Sequence, residues 1–418
     1  MNTTEFQTVV LGEGAALLET NELIDHPDFF LLDNDLTDDE IALRDKIRKF
    51  GLEHVRSVIN DHWERAAFPY EVLPALKELG IVGSFVQGYG APGFSRREAG
   101  LLSRELGRID GSFTTFLGVH ANLSMGSVYL MGNEEQRQRW LPDMAALNKT
   151  GAFALTEPNH GSDTVALETS ARRDGDSWIL NGHKRWIGNG HAADVTVVYA
   201  RDEADGEVKA FVVEKEDGEF PHGYNPVVIE GKVGKRAILQ ADITIDNVRV
   251  SNENQLEFGQ SFKDVNRVLQ ATRGGASWEA LGHAMAAFEH AARYALNREQ
   301  FGAPIAHYQL VQEKLATMLA DVTSMQLMCM RLAELQTRGE DSQEIASMVK
   351  MVTSRKALAV CREARDMMGG NGLLLENHVA RHLTDMEVIS TYEGTDSMQA
   401  LIVGRAITGK SAFTTKRR

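Results

Sequence analysis

Apolar residues recur at helical spacing from residue 41 onward: Ile41, Ile47, Phe50, Val55, Val58 and Ile59 fall on one face of a long amphipathic helix. Ahead of it, Thr37-Asp38-Asp39-Glu40 has the form of a capping box. A second helix is predicted over 72–79, stopped by Gly80. Gly88-Tyr89-Gly90-Ala91-Pro92-Gly93 reads as a loop. Further helices over 99–106, 117–129 and 134–147 make residues 1–150 an all-helical region, although residues before about 35 carry few signals.

The period changes near residue 151. Turn dipeptides recur at Asp174-Gly175, Asn181-Gly182, Asn189-Gly190, Asp205-Gly206 and Asp217-Gly218. Short β-rich runs lie between them, at 178–180, 195–199, 208–213 and 243–250, the last with a bend near Asp246-Asn247. Strands at intervals of roughly 8–12 residues predict a small β-sandwich or barrel over 151–261. The helical period then returns for 262–418, with helices over 262–297, 310–337, 342–368 and 397–407 that suggest a four-helix bundle. The fold class is α+β multidomain, in the order helical domain, β domain, helical bundle.

Composition narrows the function. The chain has 418 residues, 43% hydrophobic and 25% charged, an ordinary globular balance. A formal net charge of -15 argues against a nucleic-acid binder, which needs a basic face for phosphates. Two cysteines, Cys329 and Cys361, supply neither a disulfide framework nor a metal cluster, so a reducing compartment is expected. The start of the chain lacks a signal-peptide pattern and no apolar run has spanning length, so the expectation is a soluble, cytoplasmic protein.

Chemistry concentrates in a few stretches. Thr391-Tyr392-Glu393-Gly394-Thr395-Asp396 precedes a helix marked by Met398, Leu401, Ile402 and Ala406, with Thr395 as N-cap and Gly409 as stop. Glu393 is then either a general base on a tight turn, with Gly394 leaving room for a ligand, or a carboxylate that complements the helix dipole. The run from Phe153 to Asp163, through Thr156, Gly161 and Ser162, offers hydroxyls and amides to a planar ring or phosphate, or is an ordinary loop. Trp186 in Lys184-Arg185-Trp186-Ile187-Gly188 is a wall for an aromatic cofactor or a core residue. Arg298, before Phe301 and Gly302, grips a pyrophosphate or complements its helix terminus. Met368-Gly369-Gly370-Asn371-Gly372 admits a phosphate or adenosine, or caps a helix. No G-x-G-x-x-G follows a strand and opens a helix, so a Rossmann site is unsupported, and H-E-x-x-H and C-x-x-C patterns do not occur.

In this order and spacing, the motifs resemble the acyl-CoA dehydrogenase family across nearly the whole chain. Leu155-Thr156-Glu157-Pro158 with Gly161-Ser162-Asp163, Arg298 to Gly302, Gly369 to Gly372 and Tyr392 to Thr395 carry the match. With Gly404-Arg405-Ala406-Ile407-Thr408-Gly409, they resemble the branch of glutaryl-CoA dehydrogenases and plant short-chain acyl-CoA oxidases. The resemblance implies FAD as cofactor and dehydrogenation of an acyl-CoA by Glu393. It implies FAD contacts at Phe153, Leu155, Thr156, Gly161, Ser162, Trp186, Ile187, Gly188, Thr395 and Ser397. It further implies FAD contacts at Phe301 and Asp366, and a homotetramer in which Arg298, Gln309 and the Gly369-Gly370 loop reach a neighbour's FAD. Substrate contacts are expected from Thr114, Thr115, Ser162, Asn266, Arg273 and Gly394. Electron-transfer flavoprotein is the expected acceptor, with oxygen as the alternative.

Three departures qualify the match. Gly107 and Thr114 stand where glutaryl-CoA dehydrogenases carry a Glu and an Arg for the distal carboxylate, which argues against glutaryl-CoA. Gly188 stands where a Thr or Ser hydroxyl faces the flavin, as in the plant oxidases. Ser397 occupies a position that differs between branches.

Overall fold

A computed structural model describes residues 27–412. Helix α1 (Asp38–Phe50) begins with the expected capping box: Glu40 N donates to Thr37 Oγ1 at 3.3 Å and Thr37 N to Glu40 Oε2 at 2.9 Å. The predicted long helix is re-phased midway by a π-turn at Gly51–Val55 before α2 (Arg56–Arg65). Then come α3 (Leu73–Glu78) and a small hairpin, β1 (Gln87–Gly88) with β2 (Ala91–Pro92), where only a loop was expected. Helix α4 (Arg96–Ile109) leads into α5 (Gly111–Leu117), a second π-turn (Gly118–Ser124) and α6 (Met125–Met131). The predicted single helix over 117–129 is therefore three joined pieces. Helix α7 (Glu134–Ala145) closes the region.

The β region is one seven-stranded curled sheet: β3 (Gly151–Ala154), β4 (Ser170–Asp174), β5 (Ser177–Gly188), β6 (Val195–Asp202), β7 (Val208–Glu214), β8 (Tyr224–Val228) and β9 (Gln240–Ser251). The order is β3-β6-β4-β5-β9-β8, with β7 on β6. β5 and β9 are long antiparallel partners whose register shifts between Leu180 and Gly182 and between Lys184 and Ile187. Such bulges bend and re-aim a strand, and the second lies at the sheet lip that carries Trp186. The expected bend at Asp246-Asn247 coincides with Asn247 at φ +53°. β3, β4 and β8 escaped the sequence reading because all are short, β3 being built of small residues, β4 largely charged and exposed, and β8 interrupted by a proline.

Helix α8 (Phe262–Asn297) is 36 residues long and buried on nearly every side, as an alanine-rich helix at the centre of a bundle must be. A two-residue hairpin, β10 (Glu299–Gln300) and β11 (Ala303–Pro304), turns the chain into α9 (Gln309–Arg338), α10 (Gln343–Met367), α11 (Val379–Ile389) and α12 (Asp396–Thr408). Helix α11 was not predicted. Helix α4 crosses α8 at backbone distance: a Cβ at Gly282 would lie 2.1 Å from Arg104 O, and one at Gly107 would lie 2.7 Å from Glu279 O. That crossing joins the first helical region to the bundle and fixes Glu279 in place.

Candidate active site

The turn between α11 and α12 places two consecutive residues in the left-handed region, Glu393 at φ +54° and Gly394 at φ +82°. That conformation costs an L-residue roughly 1–2 kcal/mol, so something must hold it. Buried Gln399 donates through Nε2 to Glu393 O (2.9 Å) and Gly394 O (3.1 Å), and buried Lys350 donates through Nζ to Gly394 O (2.8 Å). Thr395 caps α12, its Oγ1 accepting from Met398 N at 3.2 Å, and Gly409 ends the helix at φ +64°. A Cβ at Gly394 would sit 2.4 Å from Gln399 Nε2, so the glycine makes room for this clamp as well as for a ligand.

The Glu393 carboxyl faces groups from two bundle helices. Burial pushes its pKa up; Arg273 and Lys350 pull it back, and Glu279 raises it further. Burial brings the Lys350 ammonium down to about 8, against the pull of Asp396 and Glu393. Burial also lowers the Arg273 guanidinium, partly offset by Glu393. Arg273 Nε and Nη1 are buried without a hydrogen-bond partner among the described residues. Unused cationic donors beside a desolvated carboxyl mark a place built for a polar ligand.

Beside the base lies a second network. Tyr392 OH donates to Glu279 Oε2 (2.5 Å), and Lys235 Nζ donates to Glu279 Oε1 (2.5 Å), Tyr392 OH (2.8 Å) and Thr115 Oγ1 (2.6 Å). Burial raises the Glu279 carboxyl, but Lys235 with His283 draws it well below the usual carboxylate range. Burial and the Glu279 carboxylate hold the Tyr392 phenol far above its ordinary value. Thr114, by contrast, turns its hydroxyl to the Asp110 carbonyl at 3.0 Å. Asn266 is exposed on the first turns of α8.

A separate group of candidate residues lies at the lip of the sheet. Glu157 accepts from Glu168 N (2.6 Å), Thr169 N (2.9 Å) and the buried Lys184 Nζ (2.8 Å). Lys184 also reaches Leu155 O at 3.1 Å, and Arg185 N donates to Thr156 O at 2.9 Å. These bonds staple the 155–163 loop to β5. Burial brings the Lys184 ammonium down to about 8, with Glu157 opposing. Glu157, His160 and Glu168 offer ligand atoms within 4.8 Å of one another, but Glu157 is committed to the staple. Gly161 and Ser162 are exposed on the loop, while Leu155 and Ile187 are buried and Phe153 packs on Tyr199 with ring centroids 4.9 Å apart. Trp186, at φ +63°, is 53% exposed, with the Arg185 guanidinium 5.4 Å from its ring centroid. The indole is therefore not a core residue of the sheet. Gly188 is buried, and a Cβ there would meet Val119 Cγ2 at 2.9 Å.

A third group sits at the far end of the bundle. Phe301 is 96% exposed at φ +53°, and Arg298, Gln309, Gly369 and Gly370 are exposed with it. Asp366 is ion-paired with Lys314 at 2.7 Å. Among the described residues, no hydrogen bond or ring contact joins these residues to the sheet lip within one chain. Ser397 is exposed at the start of α12.

Sequence reasoning missed Lys235, Glu279, Lys350 and Gln399. Two had a usable signal: Glu279 and Lys350 are charges on otherwise apolar helix faces, where a lone charge needs a partner. Lys235 lies in an irregular stretch with no periodicity to flag it.

Comparison with known proteins identifies the family. Models of the N-terminal, middle and C-terminal domains of acyl-CoA dehydrogenase match residues 37–148, 152–248 and 259–408. The acyl-CoA dehydrogenase of Bacillus subtilis (strain 168) is 32% identical over 379 residues, covering 90% of this chain and 99% of its own. The mitochondrial short-chain specific acyl-CoA dehydrogenase of Rattus norvegicus is 32% identical over 366 residues, covering 86% of this chain and 88% of its own. Among solved structures, the glutaryl-CoA dehydrogenase of Mycobacterium smegmatis in complex with FADH2 superposes with a TM-score of 0.89 at 36% identity, over 92% of this chain and 98% of that one. Butyryl-CoA dehydrogenase of Megasphaera elsdenii gives 0.84 at 31% identity, over 89% and 99%. The chain belongs to the acyl-CoA dehydrogenase family of FAD-dependent oxidoreductases.

Proposed function

We propose that the protein removes the α and β hydrogens of a short or branched acyl-CoA thioester to give the 2-enoyl-CoA. The observation that carries this reading is Glu393: a desolvated carboxyl on a clamped left-handed turn, beside the unpartnered donors of Arg273. Its raised pKa brings base and carbon acid closer, which favours proton transfer. Trp186 and the stapled 155–163 loop fit a flat ring with a polar tail, and Phe153, Leu155, Thr156, Gly161, Ser162, Ile187, Gly188, Thr395 and Ser397 are its proposed contacts. Bound FAD supplies the hydride acceptor for the β-hydrogen. Glu393, half-buried, takes the α-proton, and Thr115, Asn266, Arg273 and Ser162 orient the thioester and its CoA arm. The exposed Arg298, Phe301, Gln309, Gly369 and Gly370, with Asp366, fit the cover of a neighbouring copy's cofactor in a homotetramer.

Glutaryl-CoA is a poor candidate. The Glu279 backbone leaves no space for a side chain at Gly107, and the Thr114 hydroxyl is spent on Asp110 O. The nearby cation, Lys235, already has three acceptors, one of them a carboxylate that would repel a second acid. Electron-transfer flavoprotein is the proposed acceptor. Gly188, flush against Val119 without a hydroxyl, supports a second reading in which oxygen serves.

A panel of acyl-CoA thioesters followed by bleaching of the flavin absorbance, with and without oxygen, tests both. Short saturated substrates are expected to bleach it, and Glu393→Gln to abolish the bleaching. Full bleaching by the variant would remove Glu393 as base. Slow reoxidation of the reduced enzyme by oxygen would remove the oxidase reading.

A further inference from the structure

The Lys235–Glu279 pair has no part in the reaction just described, yet it stands against the residue next to the base. Four parts of the chain converge on this one ammonium: Thr115 from α5, Glu279 from α8, Tyr392 from the 391–396 turn, and the irregular segment between β8 and β9 that carries Lys235 itself. Lys235 is 1% exposed, sits at φ +45°, and is pinned a second time through its own amide, which donates to Asp385 Oδ1 at 2.5 Å. A non-glycine residue held in that backbone region is over-determined by its surroundings, a pattern that clusters at working sites.

Stability does not explain the pair. Taking two charges out of water costs about as much as their attraction returns, and apolar residues of equal volume would serve the core as well. Nor does a direct grip on substrate, because all three ammonium protons are in use and both Glu279 oxygens have donors. What remains is the effect on the neighbour of Tyr392.

We infer that Lys235 and Glu279 are paired positioning residues for Glu393: they hold Tyr392, and with it the turn, while their opposite charges fix the electrostatic field at that carboxyl. This rests on the reading of Glu393 as base. The charged and titratable groups facing the site are Arg273 and Glu279 from α8, Lys350 from α10, and Tyr392 and Asp396 from its own segment. His283 Nε2 lies 3.9 Å from Glu279 Oε1, and Asp385 lies on the backbone side of Lys235. Glu279 is the anion named among these influences on Glu393, and Lys235 neutralises it.

The test uses Glu279→Gln, Lys235→Met and the double variant K235M/E279Q in the FAD-loaded enzyme. Two readouts report the ionisation of Glu393. One is the pH dependence of the limiting rate of flavin bleaching. The other needs no substrate: the pH at which the gap between the melting curves of each background and its Glu393→Gln derivative stops widening. Removing the anion is expected to move both inflections down by about 0.5–1 pH unit, the scale of a nearby charge. Removing the cation moves them up by a similar amount, and the double variant, neutral like the native pair, returns towards the starting value. A purely structural role gives lower melting temperatures with unmoved inflections, and that result overturns the inference. Should either single variant fail to fold, the double variant with E279Q alone, or with K235M alone, still fixes one sign. If the native enzyme bleaches with no thioester, the proposed function falls, while the melting divergence still decides the pairing.

Discussion

Replacing Gly394 by Ala is the most direct test of the clamp around the base. The residue sits at φ +82°, where a Cβ costs roughly 1–2 kcal/mol. The new Cβ would also lie 2.4 Å from Gln399 Nε2. That amide is the end of a flexible side chain and can retreat, but only by giving up its bonds to Glu393 O and Gly394 O. Each lost bond costs about 0.5–1.5 kcal/mol, more when the acceptor stays buried. The total is about 2–5 kcal/mol, minus a few tenths for the reduced freedom of the unfolded chain. If the native turn survives, that energy appears as a lower melting temperature. If it relaxes, Glu393 moves, and a displacement near 1 Å costs on the order of 100-fold in rate. Single-turnover flavin bleaching and a melting curve on one preparation read both. Gln399→Ala, which removes the clamp without the Cβ, is expected to show only the part of the loss that comes from the two hydrogen bonds, about 1–3 kcal/mol. Native melting and native bleaching rate in Gly394→Ala would refute the account of the turn.

Three other outcomes follow from the geometry. Because burial raises the folded-state pKa of Glu393 above its unfolded value, folding stability is lost as pH rises through the folded value; Glu393→Gln should therefore melt above the native protein at pH about 8, with the gap closing towards about 5. A pH-independent gap would contradict that sign. Gly107→Glu, which restores a carboxylate, is expected to destabilise by about 1–3 kcal/mol through contact with the Glu279 backbone and to leave glutaryl-CoA a poor substrate, read by melting and bleaching. Lys184→Met strands the Glu157 carboxylate, and a loss of about 3–5 kcal/mol with release of FAD on gel filtration is expected, whereas full FAD retention would show that the staple does not shape the flavin face.

Much of this fold was legible because period and punctuation agree along the chain. The capping box at Thr37, the switch from helical to alternating pattern after residue 150 and the bounds of α8 and α12 all follow local chemistry. What escaped depended on contacts between segments far apart. The π-turns carry the same apolar stripe as a helix, so no sequence period marks them. Helix α11 was hidden because its buried His382 and Asp385 read as surface residues until their partners on other elements are known. At the site, the turn at Glu393 and its caps were visible locally. Lys235 was not, since its meaning comes entirely from Thr115, Glu279 and Tyr392, which lie more than forty residues away along the chain.

The widened turn at Gly118–Ser124 has a consequence for how this protein can vary. It accommodates one more residue than a regular helix in the same length, so Thr115 on one side keeps its place by Lys235 and Met125 on the other keeps its place in the core. Deleting one residue there would let the turn close to regular helix with both flanks still in phase, whereas the same deletion inside a regular flank would turn the remainder by about 100°. The cost at the wide turn falls on its own side chains, Val119 beside Gly188 among them. Evolution can therefore alter the count of residues at this turn more freely than in the helices on either side of it.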